Sequence, residues 1–177
     1  MKLPVVLLAA AALWAQPPLK NVSTVSTSEK PTLSFAVMAD LEKQLDDKVS
    51  MAGGATPMML LGTTRTLYLP GYGAVVTQEV SLIVTPTITP FHQSISPQEV
   101  VRVHQQKTER LALMRQTMRD MWTHTAATLN MIPNNEQIVV AVRLLYKSWE
   151  DTKGLPGQMV LKGLRSAGIA GAQMDEQ

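Results

Sequence analysis

Apolar residues recur at helical spacing in the first part of the chain. In the segment 35–50 they fall three and four positions apart, at Met38, Leu41, Leu45 and Val49, and therefore share one face of a predicted helix. The charged residues between them are expected to form a solvated face. The two glycines that follow shortly afterwards end the helix.

A second helical segment begins with a strong start signal. Ser96 can cap a helix, Pro97 suits the first turn, and Glu99 completes a capping box. We predict a helix over about 97–131, which would be about 50 Å long. Because a strand of eleven residues spans only about 36 Å, the helix is expected to extend beyond the sheet or to bend over it.

This long helix also carries a seven-residue repeat. The repeat positions, three and four residues apart, are Leu111, Met114, Met118, Met121, Thr125, Thr128 and Ile132. One interpretation is that the stripe covers the apolar face of a sheet, where methionine fills irregular gaps. The other is that part of it pairs with a second copy of the helix. We favour burial in the core, with pairing as an addition at the overhanging end.

Between and after the helices the period changes to two, which is typical of β-strands. The segments 65–69 and 74–84 alternate in this way and are joined by the Pro-Gly-Tyr-Gly turn at 70–73. The segment 138–147 is a third predicted strand, and 158–162 is a short fourth. The second strand has one apolar and one mixed face, which indicates a sheet covered on one side.

The order of elements predicts an α+β fold. We expect two layers, with about four mainly antiparallel strands covered on one face by two helices, one of them long. Residues 34–165 would form this single domain. Residues 16–33, rich in Ser, Thr and Pro, would be a flexible tether, and the polar, glycine-containing residues 166–177 a frayed tail.

A positive and then apolar stretch opens the sequence. Lys2 precedes an apolar run that ends at Trp14-Ala15, too short to cross a bilayer and of the size of a secretory signal peptide. We expect residues 1–15 to be removed by cleavage near Ala15, with cleavage after Ala12 as an alternative. A buried first helix is the other interpretation. Export would make the protein periplasmic or secreted.

Composition narrows the classes of function. The chain has 177 residues, of which 45% are hydrophobic and 17% charged, with a net charge of +2 and no cysteine. These values exclude disorder of the whole chain and give no reason to expect nucleic acid as a partner. Without cysteines no disulfide can form, so a packed core must supply the stability. We expect no transmembrane segment in the mature chain, and association with the cell envelope stays open.

Sequence patterns for catalysis and cofactor binding are missing. The histidines show no metal-ligand spacing, there is no Gly-x-Ser-x-Gly elbow, and the glycines of the turn at 70–73 lack the third glycine of a dinucleotide site. We therefore expect no cofactor and no catalytic residues. A small hydrolase-like enzyme without a recognisable motif remains an alternative.

A copper site on the long helix is a separate hypothesis. Met114, Met118 and Met121 place three thioethers on one stripe of the long helix, and His124 lies one turn further on. Soft sulfur ligands select Cu(I), and an exported protein can meet copper. A periplasmic Cu(I)-binding protein is therefore the alternative function. The same methionines are explained without any ligand if they form the core.

Aromatic residues on predicted loops are the remaining candidates. Tyr72, Phe91 and Trp149, together with His92, fall on three loops, and exposed aromatic side chains often anchor recognition. We predict an exported, non-enzymatic binding or assembly module. It would contact a protein partner, or a second copy of itself, through these loop residues or through the overhanging long helix.

Overall fold

The structure, a computed structural model, describes residues 33–91 and 94–177. The predicted signal peptide, nearly all of the predicted tether and His92 lie outside these residues. The elements in chain order are α1 (Phe35–Ala52), β1 (Met59–Leu60), β2 (Arg65–Leu69), β3 (Gly73–Ser81), α2 (Pro97–Thr128), β4 (Gln137–Leu144), β5 (Gln158–Leu164) and β6 (Gln173–Glu176). Among the described helices, none is long and apolar enough to cross a membrane.

The strands form one mixed sheet packed against the two helices. Along one edge of β3 lie β1 and β2, one after the other, and on the other side of β3 follow β4, β5 and β6. The central pair β3–β4 is parallel, from Gly73 opposite Gln137 to Val80 opposite Leu144, and the other pairs are antiparallel. The parallel pair exists because α2 carries the chain back along the sheet before β4 begins. The α+β class is confirmed.

The prediction of about four strands is wrong, because the described chain has six. Strand β1 is two residues long and β6 four, too short for an alternating pattern to be recognised in the sequence. The tail 166–177 does not fray as predicted. After two single-turn 3-10 helices, at 165–167 and 169–171, it ends in β6, which pairs with β5 from Met159 opposite Glu176 to Lys162 opposite Gln173.

The core lies between the helices and one face of the sheet, which we call the inner face. Leu41, Leu45 and Val49 of α1 are fully buried there, as the helical pattern predicts. The α2 stripe supplies Leu111, Met114, Met118, Met121 and Thr125. The strands contribute alternate residues, including Ala74, Val76, Val80, Ile138, Val140, Val142, Met159 and Leu161. The core interpretation of the α2 repeat is therefore the one that the structure favours.

Helix α2 begins with Ser96 as its cap, whose Oγ accepts a hydrogen bond from the Glu99 amide at 3.2 Å. The Glu99 carboxylate does not return to the cap, because it pairs with Arg102 instead. At 32 residues the helix is about 48 Å long. Its first half passes the ends of the strands and packs on the loop after β4, where His104 Nδ1 lies 3.0 Å from the Asp151 carbonyl.

Two carboxylates of α1 hold the edge of the sheet. Asp46 Oδ1 accepts hydrogen bonds from the Thr64 amide at 2.9 Å and the Thr64 hydroxyl at 2.5 Å. Glu42 Oε1 accepts one from the Thr66 amide at 2.7 Å. The prediction of a solvated acidic face is thus wrong for these two residues. The edge strand presents amides that point away from β3, and such amides need an acceptor.

Candidate functional site

The predicted loop aromatics do not converge on one surface. Tyr72 lies in the turn that enters β3, whereas Phe91 and Trp149 follow the far ends of the parallel strands β3 and β4. The nine residues of β3 separate these ends by about 30 Å. Phe91 is 97% exposed, but Trp149 is partly buried and its indole N–H has no hydrogen-bond partner among the described residues.

Tyr72 stands on a rigid turn. The neighbouring Gly71 amide donates to Glu136 Oε1 at 2.8 Å, and the Tyr72 carbonyl accepts from the Gln137 amide at 2.8 Å. Glu136 is itself buried, and its carboxylate lies near the hydroxyl of Tyr68. Burial, followed by the nearby Glu136 carboxylate, raises the pKa of Tyr68. The backbone of this turn is therefore fixed by the fold, while the Tyr72 side chain itself is 44% exposed.

The methionines of the copper hypothesis lie inside the core. Met114, Met118 and Met121 are all fully buried among strand and helix side chains. His124 does not join them, because its Nε2 shares a hydrogen bond of 2.6 Å with Gln44 Oε1 on α1. Burial, and after it the nearby Lys48, lowers the pKa of His124. In the described part of the chain no cluster of His, Asp and Glu suited to a metal ion is found.

A buried ion pair lies where α2 passes the ends of the strands. Lys107 Nζ contacts Glu150 Oε2, and each side chain is only 1% exposed. The second Glu150 oxygen accepts from the Thr85 hydroxyl at 3.2 Å, and the ammonium lies 4.7 Å from the centre of the Tyr146 ring. Burial, and then Glu150, raises the pKa of Tyr146 to about 12. The sealed pair joins the loops after β3 and β4 to the helix.

The other side of the sheet, which we call the outer face, is exposed to solvent. No helix or strand of the described chain covers it. Its side chains alternate with the core residues of β2 to β5. At the end where β3 and β4 begin it carries Leu67, Leu69 and Leu164, exposed by 61%, 48% and 44% around Val75 and Val139, with one exposed charge, Lys162, beside Val139 on β5.

The other end of the outer face is polar. Glu79 on β3 and Arg143 on β4 are cross-strand neighbours, with 3.6 Å between carboxylate and guanidinium. A shallow groove of about 420 Å³ lies beside this ion pair and is lined by residues that include Leu61, Arg65, Thr77 and Gln158. The outer face therefore joins an apolar area and an exposed ion pair on one continuous, rigid surface.

Sequence reasoning predicted only part of this surface. The mixed face of β3 was recognised, because Val75 alternates with core residues beside Thr77 and Glu79. The apolar partners on β2 and β5, Leu67 and Leu164, could be grouped with it only once the register of the strands was known. Comparisons with protein-family models, curated proteins and solved structures find no match for this chain.

Proposed function

We propose that the protein is a non-enzymatic binding or assembly module that docks a protein on the outer face of its sheet. The observation that carries the proposal is the group of exposed leucines, Leu67, Leu69 and Leu164, next to half-buried valine on a face that no described element covers. Large apolar side chains in contact with one another on a surface mark interaction sites. A single exposed leucine would carry no such meaning.

The rigidity of the surface supports a docking role. The outer face is built on the central ladder of β3 and β4, which runs over eight residue pairs. Its backbone is fixed by hydrogen bonds on both sides, so a partner meets a preformed surface and little entropy is lost on binding. The loop aromatics contribute only at the edges: Tyr72 lies next to the apolar end, and Phe91 lies beyond the polar end.

The titratable groups favour binding over catalysis. The Lys107–Glu150 pair is sealed from solvent, and a general acid or base must reach its substrate within hydrogen-bond distance. His104 and His124 are each engaged with a single partner from another element. The exported location belongs to the proposal as well, and its support is the apolar pattern of residues 1–15.

Site-specific photo-cross-linking tests this function. A benzoylphenylalanine placed at Leu67 reports on the outer face, and the same probe at Met51, exposed by 77% on the helix layer, is the matched control. We expect a protein to be cross-linked from position 67 in an extract of the source cells and not from position 51. Leu164→Lys in the same chain should abolish the product, because it places a charge in the apolar area.

Two results would contradict the proposal. One is the absence of any protein product from position 67. The other is a product that forms equally from position 51, or that survives Leu164→Lys in a chain whose circular dichroism is unchanged. The mass of the product separates a second copy of the chain from a different protein, and both are compatible with docking on the outer face.

A further inference from the structure

From the register of the outer face we infer that its occupant is a second copy of this chain, related by a two-fold axis that runs parallel to the strands between β3 and β4. This inference rests on the proposed function and names the partner. Two sheets would then stack face to face with aligned strands, as in sandwich packing, where the sheets lie about 10 Å apart.

The strand order decides which side chains meet. This axis places β3 over the partner's β4 and β2 over the partner's β5, while residues of one row stay in that row. Leu69, Gly73, Gln137 and Leu164 form one row, so Leu69 faces the partner's Leu164. Val75 and Val139 share the next row and face each other across the interface. Leu69 is thus buried against a leucine, whereas Leu67 faces the partner's Lys162, whose hydrocarbon stem covers it while the ammonium stays in water.

The polar end is complementary under the same axis. Glu79 and Arg143 share a row on adjacent strands, so the Glu79 carboxylate faces the partner's Arg143 and the reverse. The two ion pairs form an alternating ring of four charges. A two-fold axis perpendicular to the strands would instead bury the Glu79–Arg143 pair under leucines, where the partner adds no charge to offset the loss of solvation. The parallel axis places Glu79 opposite Arg143 and Leu69 opposite Leu164, which the perpendicular axis does not.

The area is sufficient for a concentration-dependent dimer. Four strands about 4.8 Å apart and four rows about 7 Å apart give about 500 Å² per copy, or about 1,000 Å² in total. This total lies at the lower limit of specific interfaces. We therefore expect a dimer that dissociates on dilution. The single chain should fold without its partner.

A charge-reversal mixing experiment tests the arrangement. The chain, Glu79→Arg and Arg143→Glu are each measured by sedimentation velocity over a concentration series. Each single variant brings like charges face to face, so its self-association should weaken at least about tenfold. A 1:1 mixture of the two variants should restore association, because two basic side chains of one copy then face two acidic side chains of the other. Asp47→Arg and Lys43→Glu, on exposed positions of α1, are the matched controls and should dimerise like the unchanged chain.

Each result supports or overturns the inference. A chain that is monomeric at all concentrations overturns it, as do single variants that dimerise normally or a mixture that stays monomeric although both variants are folded by circular dichroism. Failure here is distinguishable from failure of the proposed function. A monomeric chain that still cross-links a different protein from position 67 loses only the second-copy inference, whereas the absence of any product contradicts both.

Discussion

The guanidinium of Arg115 on α2 donates two hydrogen bonds to the carboxylate of Glu176 on β6. Nε lies 2.6 Å from Oε1, and Nη2 lies 2.8 Å from Oε2. This bidentate geometry joins residues 61 positions apart and ties the last strand to the helix layer. The hydrogen bonds from Arg115 hold the pKa of Glu176 below its ordinary value.

Glu176→Gln is expected to lower the free energy of unfolding by about 0.5–1 kcal/mol at pH 7, because the pair is partly exposed. The folded pKa lies below the unfolded value of 4.5. The contribution is therefore present above pH 4.5 and is lost as the pH falls through the folded pKa. Urea unfolding at pH 7 and at pH 3 measures it. Asp175→Asn is the control, and an equal effect of both variants would contradict the role of the pair.

Lys107→Met should be far more damaging. It leaves the Glu150 carboxylate buried without its cation, which costs about 3–5 kcal/mol. Replacing both residues, as Lys107→Met with Glu150→Leu, should recover most of that loss, because no buried charge is left. Urea unfolding of the three variants gives the values. Lys43→Met on the exposed face of α1 serves as the control, and a cost of Lys107→Met below about 1 kcal/mol would refute the sealed-pair interpretation.

Substitutions in the methionine stripe distinguish a role in the core from a role as a copper site. Met118 is fully buried, so Met118→Ala should cost about 2–5 kcal/mol and Met118→Leu less than about 1.5 kcal/mol. Met51→Ala, at an exposed position, should stay within about 0.5 kcal/mol of the unchanged chain. Titration with Cu(I) under reducing conditions completes the test. Tight binding that is lost in Met118→Leu without loss of stability would favour the copper alternative.

Tyr146 should ionise far above the ordinary tyrosine range. Its pKa of about 12 reflects burial first and Glu150 second, and its hydroxyl donates to the Pro156 carbonyl at 2.7 Å. Because the folded pKa exceeds the unfolded value of 10.0, the associated stability is present below pH 10 and is lost as the pH rises towards 12. Absorbance at 295 nm follows the titration. Tyr146→Phe should remove the component near pH 12, whereas Tyr72→Phe should leave it unchanged.

Local sequence patterns were sufficient to predict the helices and the long strands. The cap at Ser96 and the α2 repeat depend on neighbours within a few positions, so the helix start at Pro97 was predicted correctly. Its end was placed three residues too late, because the turn at Leu129 has no glycine to mark it. The alternation in β3 likewise separated the core residues from Thr77 and Glu79.

Contacts between distant residues could not be predicted. From the sequence, Lys107 is expected on a polar, solvated face of the helix. Its partner Glu150 lies 43 positions later, and no sequence spacing indicates that the two residues pair. The short strand β6 is stabilised by β5 and Arg115, not by its own four residues. The outer face has the same origin: each strand offers one or two leucines or valines, and only the register turns them into a surface.

The parallel ladder at the centre of the sheet has a consequence for the integrity of the chain. It joins Gly73 to Gln137, and between them runs the exposed loop that contains Phe91. Residues before this loop supply α1 and the strands β1 to β3, and residues after it supply α2 and the strands β4 to β6. A protease that cuts the loop would therefore produce two fragments that each hold half of one hydrogen-bonded sheet. Such fragments should remain together as a non-covalent complex, and expressed separately they should reassemble into the folded domain.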